Sequence, residues 1–297
     1  MKTYIECIPC FFRQAIEAAD VIGVSDKKKK EIINQIAHSI PAFPLTATPP
    51  EMGQIIYKIV RTVTGNKDPY LSLKQKSHEQ TMNKYGLFMN KINKSRNKLL
   101  TAVELAIAGN IIDFGVKNSL NIQAEIEKIL HREEREIKNE NEKCFQYTLF
   151  IKKLAAAHKI LYLADNVGET VFDKILLEQI KKKYPEKEIC YAVRGFPVLN
   201  DALETDAYNA EINNYARIIN NGYDAPGTIL KKSSIAFQKT FKAADLIISK
   251  GQGNFESLSG KKGYPVFFLF MVKCPIVAKH LDCEVGNIIL KYNKGLK

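Results

Sequence analysis

The texture of the chain changes near residue 157, and no other feature restricts the fold as much. Before it, apolar residues recur at helical spacing through Cys7 to Ile22, Asp26 to Ile40, Pro49 to Val63, Tyr70 to Lys91, Asn97 to Ala108 and a polar stretch over Glu125 to Ala157. Breaks fall at Pro41 to Pro44, at Gly65 to Pro69 and at Gly109. After it, short apolar runs at Lys159 to Ala164, Glu188 to Val193, Leu246 to Ser249, Val266 to Val272 and Asn287 to Lys291 read as strands, with a helix over Glu169 to Lys183. Strands apolar on both faces need cover on both faces, the mark of a buried, mainly parallel sheet. The expected fold is α/β: a helical N-terminal domain over residues 1–157, then a three-layer α/β/α Rossmann-like domain over 158–297 with about five strands.

Bulk properties exclude several classes. A hydrophobic content of 45% in 297 residues supports a sizeable core. The longest apolar run, Pro265 to Val272, is far short of the roughly 20 residues that cross a bilayer, and the N-terminus lacks an apolar signal core. The expectation is a cytoplasmic protein with no membrane partner. Six scattered cysteines do not make a disulfide framework and are expected as thiols. The net charge of +12 raises the question of a polyanionic partner, but 37 of the 44 basic residues are Lys, whereas base-reading surfaces lean on Arg. Lys27 to Lys30 and Lys181 to Lys183 fall at helix ends as solvated charge, which argues against nucleic acid.

Open α/β sheets bind ligands beyond the carboxyl ends of their strands, and three such ends here are rich in functional groups. The first run closes on Asp165-Asn166-Val167-Gly168-Glu169, the second on Arg194 to Asn200-Asp201, the third on Lys250-Gly251-Gln252-Gly253-Asn254-Phe255-Glu256. Asp165, Asn166 and Asp201 are hard oxygen donors of the kind Mg²⁺ or Mn²⁺ prefers, leaving coordination positions for a phosphate oxygen. Lys250, Arg194 and Asn200 can meet an anion, and Gly251, Gly253 and Asn254 bring backbone close to it. The same residues admit plainer readings: Asp165 or Asn166 as a helix N-cap, the glycines as a tight turn, Lys250 as a surface lysine.

The chain resembles the DUF89 family of damage-control phosphatases, in the subfamily marked by Cys7-Ile8-Pro9-Cys10, Gly253-Asn254-Phe255-Glu256 and Lys273-Cys274. Asp68-Pro69-Tyr70, Asn110-Ile111-Ile112-Asp113, Asp165-Asn166 and Arg194 to Asp201 extend the likeness over nearly the whole sequence. It implies a helical part, a Rossmann-like part, a divalent cation (Mn²⁺, Mg²⁺, Ni²⁺ or Co²⁺) held by Asp165, Asn166 and Asp201, and hydrolysis of phosphate monoesters of small metabolites. Lys250 is expected to stabilise transition-state charge, with Asp201 or Glu256 orienting the attacking water. In the alternative route Asp165 is a covalent nucleophile, as in haloacid-dehalogenase-type phosphatases, but those carry Asp where Val167 stands.

Two other function classes fit the sequence less well. An S-adenosylmethionine-dependent carboxyl methyltransferase wants a Gly-rich turn after its first strand, where Asp165-Asn166 stands; a non-catalytic nucleotide- or RNA-binding protein wants interleaved Arg and aromatics, and neither pattern occurs. Asn110 and Asp113, three apart on one helical face, are either a satisfied polar pair or a substrate contact. Cys7 and Cys10 lack the second pair that a zinc site needs and read as accessory, reaching toward Lys273-Cys274. Cys7→Ser/Cys10→Ser is accordingly expected to keep its phosphate-releasing activity, checked with a colorimetric phosphate assay.

Overall fold

The computed structural model describes residues 1–109 and 143–293, so Asn110 and Asp113 lie outside the described residues. Helices α1 (Cys7–Ile22), α2 (Asp26–Ser39), α3 (Pro49–Thr64), α4 (Leu71–Met82), α5 (Tyr85–Lys94) and α6 (Lys98–Ala108) come first. The helical segment read as Tyr70 to Lys91 is two helices, α4 and α5. After α7 (Tyr147–Ala156) follow β1 (Lys159–Leu163), α8 (Thr170–Lys183), β2 (Glu188–Val193), α9 (Glu204–Asn209) and β3 (Arg217–Asn220). The chain then forms α10 (Ile235–Ala243), β4 (Leu246–Lys250), α11 (Gln252–Leu258), β5 (Val266–Met271), α12 (Pro275–Leu281) and β6 (Ile288–Tyr292).

The sheet has six strands in the order β3-β2-β1-β4-β5-β6, parallel except for β6, which runs antiparallel to β5. The strand missing from the sequence reading is β3: it is four residues long, lies at an edge and is only half-buried, so its apolar signal is weak. From β1 the chain steps outward to β2 and β3, then returns to lay β4 against the other side of β1. The switch point between β1 and β4 is where doubly wound sheets open a crevice.

Strand alternation divides the core. Ile160, Tyr162, Leu246, Ile248, Phe267 and Leu269 face one side, where they join residues of α5, α6, α7 and α8. Leu161, Leu163, Ile247, Phe268 and Phe270 face the other, with Phe237 and Phe241 of α10 and Phe255 and Leu258 of α11. A third core, from Phe11, Ala15, Ile32, Ile36, Met52, Ile56, Tyr57 and Val60, belongs to α1–α3 and takes in Val198 from the loop after β2. Helices α5 and α6 thus share the sheet's core, although the change of sequence texture comes only at residue 157.

Packing at the first core is tight. Phe172 is fully buried, its ring 4.7 Å from that of Phe88, and a Cβ on Gly109 would come within 2.7 Å of it. No helix among the described residues is long and apolar enough to cross a membrane. Phe172→Ala is expected to lower unfolding free energy by about 3–5 kcal/mol, measured by urea denaturation, because the rings around it cannot collapse into the space.

Candidate active site

The three strand ends singled out in the sequence converge, and the contact that fixes them is steric. Gly251 follows β4 with φ +79°, and a Cβ there would stand 1.9 Å from Asp165 Oδ2. The Asp165 carboxylate therefore lies directly over the Gly251 backbone, at the β1–β4 switch point. The loop after β2 folds back on the same segment: Val167 N donates to Asn200 O at 2.9 Å, Ala202 N to Asp165 O at 2.8 Å, and Asn166 and Asp201 form an isolated antiparallel bridge.

Neither Asp165 nor Asn166 acts as a side-chain helix cap. Asn166 precedes the turn Val167–Glu169 without capping it; its Nδ2 instead donates to Glu169 Oε1 at 3.0 Å and to Asp165 Oδ2 at 3.4 Å. That turns the amide oxygen away from both carboxylates. Arg194 holds the group together. Its Nε donates to Asp201 Oδ2 at 2.5 Å, its Nη1 to Asn254 Oδ1 at 3.3 Å, and its Nη2 lies 3.5 Å from Asp165 Oδ1 while making no hydrogen bond.

Asn254 was expected to meet phosphate, but its side chain is fully buried. Its Nδ2 donates to Ala164 O and Lys250 O, and its Oδ1 accepts from Arg194 and from Thr228 Oγ1. It holds the guanidinium in place and ties the end of β1 to the end of β4. Gly253 has a packing reason as well, since a Cβ would stand 2.0 Å from Pro226 O. Asn200 contributes its backbone carbonyl.

Lys250 also differs from its expected role. It shares the strand face of Leu246 and Ile248, which α8 covers, so its ammonium lies at zero exposure between Glu169 Oε2 at 2.8 Å and Asp173 Oδ1 at 2.7 Å. Tyr162 and Tyr191 donate to the two oxygens of Asp173, at 2.6 and 2.7 Å. Lys250 therefore balances buried carboxylates one layer beneath the crevice and does not face a substrate in it. Burial alone would pull its pKa down, but Asp173 and Glu169 together push it above the ordinary lysine range. The lysine whose charge does bear on Asp165 is the exposed Lys273, of the Lys273-Cys274 pair.

The carboxylates are electrostatically crowded. Burial raises the Asp165 pKa well above the usual range, Asp201 and Glu169 raise it further, and Arg194 and Lys273 offset part of this. Asp201 is raised in the same way by burial, against the pull of Arg194 and of Lys74 from α4. Glu169 and Asp173 were not anticipated from the sequence. The available signal was parity: a lysine in register with Leu246 and Ile248 needs buried acids opposite, and α8 supplies them.

Glu256, expected as an alternative to Asp201 for orienting the attacking water, belongs to a different cluster. Its side chain accepts from Gln252 Nε2 at 2.9 Å, burial pushes its pKa up to about 7, and it stands beside Cys7 and Cys274. Gln252 reaches Cys274 Sγ as well, at 3.6 Å, and burial raises both the Cys7 and Cys274 thiols. The two cysteine motifs do meet, at the start of α1 and α12. Cys10 Sγ accepts from Gln14 Nε2 at 3.3 Å, and Tyr57 Oη donates to Gln14 Oε1 at 3.1 Å.

Buried acids gathered at the switch point of a doubly wound sheet, under a layer of helices, define a capped α/β protein of the class that works at its strand ends. The chain belongs to the damage-control phosphatase ARMT1-like domain family, whose sequence model matches residues 3–289. It is 32% identical to "Damage-control phosphatase PH1575" of Pyrococcus horikoshii, over 99% of each chain, and 30% identical to a "Damage-control phosphatase" of Archaeoglobus fulgidus, over 98% of this chain and 99% of that one. An uncharacterized protein of Methanocaldococcus jannaschii is 35% identical, over 98% of this chain and 96% of its own. The crystal structure of the Pyrococcus DUF89 protein superposes with a TM-score of 0.88 at 31% identity, covering 99% of this chain and 100% of that one.

Lys250→Met should cost about 3–5 kcal/mol, because it strands Glu169 and Asp173 without their cation. Removing the lysine raises the Asp173 pKa further, so the folded form binds that proton more tightly than the unfolded chain does. The deficit is therefore greatest above the raised Asp173 pKa and shrinks as pH falls from there toward the unfolded carboxylate range near about 4, which urea unfolding at several pH values will show.

Proposed function

We propose that this protein is a metal-dependent phosphatase hydrolysing phosphate monoesters of small metabolites. The observation that carries the reading is the convergence of Asp165 and Asp201 on the Arg194 guanidinium at the β1–β4 switch point, with Asn166 bridged to Asp201 beside them. The names of its relatives supply the reaction class, phosphate release.

The donor chemistry fits a divalent cation. Four buried acids (Asp165, Glu169, Asp173, Asp201) stand against two buried cations, Arg194 and Lys250. Burial first, and then the neighbouring acids, raise Asp165, and a divalent ion would relieve that crowding. Among the described residues, no three His, Cys, Asp or Glu are grouped to hold a metal; the proposed set is the carboxylates of Asp165 and Asp201, which the Asn166 oxygen would join once that amide turns over from its bonds to Glu169 and Asp165. Such hard oxygen donors suit Mg²⁺ or Mn²⁺, and Co²⁺ or Ni²⁺ accept them too. When bound, the cation supplies Lewis-acid polarisation of the phosphoryl group.

The protein's own groups do the rest. Arg194 Nη2, buried without a hydrogen bond, donates to a phosphoryl oxygen, and Lys273 adds positive charge at the rim. Asp201, with Oδ2 engaged by Arg194, leaves its other oxygen for the cation and for orienting the attacking water beside it. Lys250 holds Glu169 in a buried ion pair, and Glu169 in turn accepts from the Asn166 amide.

Phosphate release from p-nitrophenyl phosphate or sugar phosphates should require added Mn²⁺, Mg²⁺, Co²⁺ or Ni²⁺, stop with chelator, and fall on the order of a hundredfold or more in Asp165→Ala. Activity indifferent to both chelator and that substitution would overturn the reading.

A further inference from the structure

Asp201 reaches the site on a loop that the sheet alone does not hold. Between Arg194 and Asp201 the chain leaves β2, and Val198, 2% exposed, is buried in the separate core of α1–α3. The next residue, Leu199, has φ +46°, a left-handed conformation that is strained for a leucine and persists only where its surroundings impose it. The turn closes with Asp201 N donating to Val198 O at 3.1 Å.

One side chain of the helical layer grips this loop and its neighbour together. Arg61, on α3, donates from Nη1 to Pro197 O at 2.9 Å and from Nη2 to Asp224 Oδ2 at 2.5 Å. Gln54, on the same helix, donates to Asp224 Oδ1 at 3.0 Å. Asp224 lies in the loop after β3, which presses on the other strand ends. A Cβ on Gly195 would come 2.6 Å from Gly222 Cα, and one on Gly227 would come 2.6 Å from Gly253 O. A planar fork can serve two acceptors in fixed directions, which a lysine cannot do.

We infer that Arg61 is a positioning residue: by bonding Pro197 O and Asp224 it seats α3 on the strand-end loops and fixes the Val198–Asp201 turn, so the helical layer sets the geometry of the cation site. It touches neither phosphate nor the oxygen donors themselves. The inference rests on reading Asp201 as a donor to the cation. It sets Arg61 apart from a partly exposed ion pair that contributes only stability.

The test is Mn²⁺ affinity, by calorimetry on the metal-free full chain well below the unfolding transition, with kcat and KM on p-nitrophenyl phosphate alongside. The unaltered protein, Arg61→Ala, Arg61→Lys and Asp224→Asn are compared. Arg61→Ala should raise the Mn²⁺ Kd about tenfold and lower kcat more than it raises KM, the size of effect seen when a metal ligand loses its supporting partner. Arg61→Lys should fall between, and Asp224→Asn should follow Arg61→Ala in part. A lower melting temperature with unchanged Mn²⁺ affinity and kcat would overturn the inference and leave Arg61 a stabilising residue. No Mn²⁺ binding by the unaltered protein would instead overturn the reading of the site, and the inference with it. Should Arg61→Ala fail to fold, Arg61→Lys and Asp224→Asn decide between the same outcomes.

Discussion

Too much buried negative charge in one place is the constraint on which the rest of this structure depends. Asp165, Asp201, Glu169 and Asp173 lie within a few side chains of one another under the helical layer, and no apolar packing makes that arrangement tolerable by itself. Two cations are spent on it from opposite sides. Lys250 comes up from the sheet between Glu169 and Asp173, and Arg194 comes across from β2 between Asp201 and Asp165. The phenols of Tyr162 and Tyr191 saturate the deepest carboxylate. A graded layout results: fully compensated acids below, under-compensated acids above, at the crevice.

The two layers of the molecule contribute differently to that crevice. The sheet supplies Asp165, Asn166 and the glycine shelf, all set by strand ends whose register is fixed by backbone pairing. The helical layer supplies no donor to the central group among the described residues. It holds the loop that delivers Asp201, through Val198 in its core and Arg61 at its edge. Position along the strands and closure from above are thus separate controls on one set of oxygens.

Much of this was legible in the sequence, and what escaped it has physical reasons. That the Asp165-Asn166 and Asp201 segments lie together could be foreseen because apolar runs locate strand ends well, and strand ends of an open α/β sheet gather on one side. The family likeness rested on short motifs in a fixed order, and the family holds. Lys250 and Asn254 were read as facing a ligand because they follow a strand. Where such a side chain points depends on strand parity and on what covers that face, and α8 and Arg194 claimed both residues. Glu256 was grouped with Asp201 by its place in the motif; one helical turn carries it instead to the cysteines. The loop after β3, with Asp224 and Thr228, went unseen because a half-buried edge strand of four residues leaves little apolar trace. No local pattern announces Arg61, whose partners come from loops far along the chain.

The order in which the strands are added has a consequence for how the chain matures. Asp165, Glu169 and Asp173 enter with β1 and α8, but Lys250 and the Gly251 shelf enter only with β4, after β2 and β3 have been built. Until then Glu169 and Asp173 lack their lysine, and burying them would be costly. A nascent chain ending before β4 therefore has reason to keep that end of the sheet hydrated and open. The ion pairs that bury Glu169 and Asp173 can therefore form only with β4 in place beside β1.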